Sequence, residues 1–370
     1  MAVDAMHIIA VSVKTIRREP AYACSGDSFR GGVSPRSTRR LRGQSTVEYV
    51  LVIAIIVLVV LIVGPWVSSA IRNQFNLVAS AIGSGTTGEN FYEPQDIPDP
   101  ENGTAFAVYS EDDHSLMFYK RRGVPKVGDM FNDRRVTKVY TGFESETYVH
   151  HSGESWKTWT TNVPWASLEN KILIAEAVDE GIQPKSIAFW FYRCTALETV
   201  DLSKMDLSKV ELTHGAFLLC RSLTSLKLSP FSSTLREMMD FITCCDVLET
   251  LDLSSSDLSG VMSFYHFALS DGHTKLNTVL FPTDQSKQPK LVYDMSCMFS
   301  NQTKLETLEG FGETGWGLGS KNGDEINVSQ CFQSCVSLKL DCSKWNVSNV
   351  TKHVNFNHNA PGITAPKWAD

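Results

Sequence analysis

The sequence predicts a mixed fold: a long N-terminal transmembrane α-helix, a small β-rich capping module, then a solenoid of short repeats. Three observations carry this. Residues 49–71 are 23 consecutive positions without a charge, most of them Val, Ile or Leu. Residues 104–185 alternate apolar and polar side chains in short runs, as half-buried strands do. From 191 onward a Phe-x-x-Cys-x-x-Leu pattern returns again and again.

The helix comes first. At 1.5 Å per residue the run from Tyr49 to Ile71 would span about 35 Å, against a bilayer core of ~30 Å. Arg30, Arg36, Arg39, Arg40 and Arg42 precede it with no acidic residue among them, which predicts a cytoplasmic N-terminal side. Ile71, Phe75, Val78 and Ile82 continue one apolar helical face past the span, and Gly83 to Gly88 ends it. Pro65 falls inside and should kink it.

The order Arg42-Gly43-Gln44-Ser45-Thr46-Val47-Glu48-Tyr49 followed by this apolar run resembles the Flp (type IVb) prepilins. The resemblance implies cleavage by a prepilin peptidase between Gly43 and Gln44. Glu48 and Tyr49 would then be pilin-type helix contacts to neighbouring pilus subunits. An acid in the first turn suits the partial positive charge of a helix start. The other reading is an ordinary single-pass anchor with Glu48 at the interface. Either way the expectation is a bacterial cell-membrane protein crossing once through residues 49–71, its C-terminal part outside. The segments read as a basic leader 1–43, the helix 44–83, a flexible Gly/Pro/acid-rich linker 84–103, the β-rich module 104–185 and the repeats 186–370.

Charge narrows the partners. The chain carries 34 basic and 41 acidic residues; without the leader it would carry 26 and 38, a net charge near −12. That argues against nucleic acid as a partner. In the β-rich module, Ala105 to Ser110 and Ser115 to Lys120 read as a hairpin around a polar turn. Trp156, Trp159 and Trp165 occupy a polar loop expected to fold back on it. His150-His151 and His114 have no further ligand at a recognised spacing, and adjacent strand residues face opposite ways, so no metal site is expected.

The repeats are the clearest feature. Phe191, Cys194, Leu197, Val200 and Leu202 return as Phe217, Cys220, Leu223, Leu226 and Leu228. With one extra residue they return as Phe241, Cys245, Leu248, Leu251 and Leu253. Degenerate copies follow at Leu276–Phe281, Phe299–Leu308 and Phe332–Leu338. Such periods predict stacked units of one short strand each, with alternate Leu pointing inward and the Phe and Cys closing the core from the other side. The eight cysteines from Cys194 onward are expected mostly as free, buried thiols, because side chains stacked in one direction lack disulfide geometry. Asp201-Leu202-Ser203, Asp206-Leu207-Ser208, Asp257-Leu258-Ser259 and Asn346-Val347-Ser348 suit turns whose side chains bind the local backbone.

These repeats look like the BspA-like leucine-rich repeats of bacterial surface proteins, and Met295-Ser296-Cys297-Met298-Phe299 carries that family's Met-Phe limb nearly intact. The resemblance implies an adhesive, protein-binding surface for an unknown protein or cell-surface ligand. The rival is a structural minor pilin or pseudopilin that primes or caps a filament without binding a ligand. No catalytic motif, cofactor fingerprint or metal motif is present in the sequence, so no enzyme activity and no cofactor are expected.

Overall fold

The computed structural model describes residues 97–151, 160–312 and 314–368. The chain divides into two units, Met1–Glu89 and Asn90–Asp370, and the described residues belong to the second.

Fifteen short strands make up the described fold: β1 Thr104–Ser110, β2 Ser115–Arg121, β3 Met130–Phe131, β4 Arg134–Arg135, β5 Lys138–Thr141, β6 His150–His151, β7 Thr160–Thr161, β8 Ile174–Ala177, β9 Thr199–Leu202, β10 Ser225–Leu228, β11 Thr250–Asp252, β12 Thr278–Leu280, β13 Thr307–Glu309, β14 Leu340–Asp341 and β15 Ile363–Thr364. The alternation over 105–120 forms an antiparallel hairpin, with Ser110 opposite Ser115 and Phe106 opposite Tyr119. Its two faces serve two cores. Ala105, Ala107, Tyr109, Leu116 and Phe118 join the main core, while Phe106, Val108, Met117 and Tyr119 close a smaller one with Phe131 and Val136.

β2 then pairs in parallel with β8, β8 with β9 and β9 with β10, so one six-stranded sheet runs β10-β9-β8-β2-β1-β5. β11-β12-β13 form a second parallel sheet and β14-β15 a third. On the opposite side, single parallel bridges link Ser186, Leu212, Glu237, Ser263, Asp294, Asn327 and Lys352 in turn. Each bridged residue marks one rung, and the main core lies between the two sides. Where hairpin meets rungs, Trp165 packs edge-on against Trp190 at 5.3 Å, and its Nε1 donates to the Trp190 carbonyl oxygen.

The structure corrects the predicted fold class. Among the described residues no helix is long and apolar enough to cross a membrane. The helices present are three-residue 3-10 segments, Ala166–Leu168, Leu207–Lys209 and Gln285–Lys287. The fold is β-rich. Its repeated Asp-x-Ser turns bind their own backbone every few residues, which competes with helix formation. The expected transmembrane helix 44–83, with Gly43, Gln44, Glu48 and Tyr49, lies outside the described residues, as do Trp156 and Trp159. The single-pass membrane location rested on that helix, and no described element supports it. The single continuous leucine-rich solenoid is corrected as well. The short strands divide among separate sheets, the first rungs belong to the hairpin's own sheet, and the strand ladder stops between β10 and β11 and again between β13 and β14. The first stop coincides with the extra residue of the 241–245 limb.

Candidate binding surface

Along β9, Val200 and Leu202 are buried while Thr199 and Asp201 face outward. Parallel register puts Ser225 beside Thr199 and Lys227 beside Asp201. Beyond the interruption, Thr250, Thr278 and Thr307 align, as do Asp252, Leu280 and Glu309. The outward strand face therefore presents rows of hydroxyls beside a mainly charged row. Lys227 Nζ lies 3.4 Å from Asp201, whose carboxylate also accepts from the backbone N–H of Ser203 at 3.1 Å. Burial opposes the charge on Asp201, yet these Ser203 and Lys227 contacts hold its carboxyl below the usual range.

The interruption gives this face its relief. β10 ends one sheet and β11 ends another, and both line a cavity of about 310 Å³ bounded by Thr224, Ser225, Leu226, Glu249, Thr250 and Asp252. An edge strand carries backbone donors and acceptors that no neighbour in its own sheet satisfies. Here two such edges flank one crevice rimmed by the exposed carboxylates of Glu249 and Asp252.

The turns at the strand ends are held locally. Asp206 accepts from Ser208 N at 2.9 Å, Asp257 from Ser259 N at 3.0 Å, and Asn346 from Ser348 N at 3.3 Å. Each closes within three residues, a few positions after its strand has ended.

Phe191, Cys194, Leu197, Val200, Leu202, Phe217, Cys220, Leu223, Cys245, Leu248, Leu251 and Leu253 are buried in one core, with Leu226 and Leu228 partly buried against it. The aromatic ladder is longer than the motif suggests. Ring centroids step 5.6 Å from Phe191 to Phe217, 5.4 Å to Phe241, 5.8 Å to Phe267 and 5.9 Å to Phe299, then on through Phe332 to Phe356. Phe267 and Phe356 escape the sequence pattern because Ser270 and Asn359 stand where Cys is expected. A search for Phe-x-x-Ser and Phe-x-x-Asn at the same phase would have found them.

The eight described cysteines are free. Cys220 Sγ donates to the Phe191 carbonyl oxygen at 3.0 Å, Cys245 to that of Phe217 at 3.2 Å, and Cys335 to that of Phe299 at 3.1 Å. Each thiol spends its proton on the preceding rung. Burial pushes the Cys220, Cys245 and Cys331 thiols well up, and those of Cys335 and Cys342 up to about 12. His114 Nδ1 hydrogen-bonds with the Tyr109 hydroxyl at 3.0 Å, and His150-His151 form β6 in a separate ribbon. Among the described residues, no group of three or more His, Cys, Asp or Glu side chains is arranged to hold a metal ion.

A family model described as "Mycoplasma protein of unknown function, DUF285" matches residues 285–366, which include the rungs of Asp294, Asn327 and Lys352. No curated protein and no solved structure matches the chain. The expected Flp-prepilin and BspA-like resemblances are corrected accordingly. The family similarity found is to DUF285, it lies in the C-terminal part, and it does not reach the segment around Gly43 and Glu48.

Proposed function

We propose that the described part of the chain is a protein-binding module whose ligand is an extended, cationic segment of a protein partner, taken across the outward strand face at the gap between β10 and β11. One observation carries this reading: two sheet edges, each lacking a strand neighbour on that side, border one acid-rimmed crevice. An extended peptide laid against such an edge gains backbone hydrogen bonds, and flanking side chains supply selectivity. Glu249 and Asp252 favour Lys or Arg in the ligand, and the acidic balance of the chain disfavours nucleic acid. The module acts by binding; no catalytic turnover belongs to this reading.

The test is peptide-library selection against the wild-type chain and a Glu249→Lys/Asp252→Lys variant, both side chains being exposed. Enrichment of basic, extended sequences by wild type, lost in the variant, is the expected result. Equal enrichment by both, or none by either, overturns the proposal.

A further inference from the structure

Asparagine or aspartate stands directly before glycine three times in the chain, at Asn102-Gly103, Asp271-Gly272 and Asn322-Gly323. Glycine lets the backbone swing widely, and with no Cβ in the way its amide nitrogen can reach the carbonyl carbon of the preceding side chain. All three Asn or Asp residues are exposed, so neither sequence nor solvent access separates them. Hydrogen bonding does.

Gly103 N donates to the Asp99 carbonyl oxygen at 2.8 Å, and Asn102 N to the Asp99 carboxylate at 3.0 Å. A Cβ on Gly103 would lie 2.9 Å from Arg121 N, so this backbone is also wedged against β2. Gly272 N donates to Ser270 Oγ at 3.0 Å, and Arg221 holds the Asp271 carboxylate at 2.8 Å. Asn322-Gly323 is built the other way round. Ser320 Oγ accepts from Asn322 N at 3.0 Å and from Asp324 N at 3.1 Å, so both flanking amides are tied to one hydroxyl. Among the described residues the Gly323 N–H between them meets no acceptor, and the Asn322 side-chain amide has no partner. Gly323 has φ 77°, and a Cβ there would meet nothing within 4 Å.

We propose that Asn322 is a self-modification site, deamidated to aspartate and isoaspartate by the backbone nitrogen of Gly323, so that its loop gains negative charge as the protein ages. A hydrogen-bonded amide N–H is harder to deprotonate and is not free to turn toward the side chain, which spares Asn102 and Asp271. In the step, the Gly323 amide gives its proton to base in the solvent and its nitrogen attacks Asn322 Cγ. The Cγ–Nδ2 bond breaks, the leaving nitrogen takes a proton from solvent and departs as ammonia, and a five-membered succinimide remains. One water then opens the ring. Cleavage of the new N–Cγ bond gives aspartate; cleavage between that nitrogen and the main-chain carbonyl carbon gives isoaspartate. Nothing is oxidised or reduced. The new carboxylate joins those of Asp324 and Glu325, of which Glu325 pairs with Lys352. The loop lies between the bridged residues Leu318 and Asn327, and the open space at Gly323 leaves room for the extra backbone atom of isoaspartate.

The test incubates the full native chain at pH 8 and 37 °C, then digests it and maps each site by mass spectrometry. Isoaspartate is counted by methylation with a protein isoaspartate methyltransferase and S-adenosylmethionine. Asn322 is expected to convert at least tenfold faster than Asn102, with isoaspartate appearing at position 322. In denaturant the two rates should draw level, because the hydrogen bonds that spare Asn102 are gone. Gly323→Ala, whose methyl group hinders the attack, should slow conversion at least fivefold. Asn102 converting as fast as Asn322 in the native chain overturns the proposal, as does a native difference that survives denaturation unchanged or an unchanged rate in Gly323→Ala.

Discussion

Asp240 Oδ1 lies 3.4 Å from Nδ1 of His266, on adjacent rungs and in matching left-handed backbone, at φ 51° and 53°. The two residues are 26 apart in sequence, yet they form the most enclosed acid–imidazole pair among the described ion pairs, with side chains 5 % and 17 % exposed. Left-handed backbone costs a non-glycine residue roughly 1–2 kcal/mol. The repeated rung hydrogen bonds impose it here, and the pair benefits from the alignment that results.

This pair makes stability depend on pH with a defined sign. The imidazole of His266 is raised in the folded state from 6.5 to about 9. Its contribution is therefore fully present below pH ~6.5 and is lost as pH rises through about 9. Asp240 moves the other way: burial opposes its charge, but His214 and His266 hold it below the usual carboxylate range. Its contribution is present above pH ~3.9 and is lost as pH falls through its lowered value. Thermal unfolding from pH 6 to 10 should show Tm falling across this window, with up to about 3 kcal/mol of stability lost. In His266→Asn the slope should flatten, and an equal slope in both proteins would refute the assignment.

Phe267 should matter to stability as much as Phe241, although it lacks the cysteine that marks the repeat. Both rings are fully buried and stack 5.8 Å apart. Phe267→Ala and Phe241→Ala are each expected to cost about 3–5 kcal/mol in urea unfolding. A loss below about 1 kcal/mol at Phe267 would remove it from the ladder.

Gly260 is required for space. A Cβ there would meet the Ser233 carbonyl oxygen at 2.1 Å and that of Leu235 at 2.8 Å, both backbone atoms that cannot swing aside. Gly260→Ala should lower stability by more than about 2 kcal/mol, well above the few tenths usual for a surface change. Gly319→Ala, whose nearest neighbour is the Leu291 side chain at 3.2 Å, provides the contrast and should cost clearly less.

The ladder thiols should be present but silent. In the native Cys24→Ser chain, Cys194, Cys220, Cys245 and Cys335 should resist labelling, and all eight described cysteines should titrate in denaturant without reductant. Fewer thiols after denaturation would mean disulfides, contrary to the Sγ–carbonyl contacts.

Much of the repeat's inner surface was legible in the sequence. A side chain that meets the same neighbours in each unit must recur at fixed phase, so Phe191, Cys194 and Leu197 announce Phe217, Cys220 and Leu223. The Asp206–Ser208 and Asp257–Ser259 turns were legible for a related reason, since each is closed within three residues. The expected helix over 44–83 lies outside the described residues, which make short strands joined by self-capped turns, and in place of the prepilin and BspA-like resemblances the family similarity found is to DUF285 over 285–366.

Sequence alone determined which residues recur and point inward, because burial imposes periodicity. Only the tertiary structure decided that the hairpin joins the first rungs in one sheet, that the ladder breaks at β10 and β11, and that Asp240 and His266 meet on adjacent rungs. Those outcomes depend on register between rungs. Segments of unequal length, with one residue inserted near Cys244, bring unlike side chains together at a repeated backbone position, and no periodic pattern marks unlike residues as neighbours.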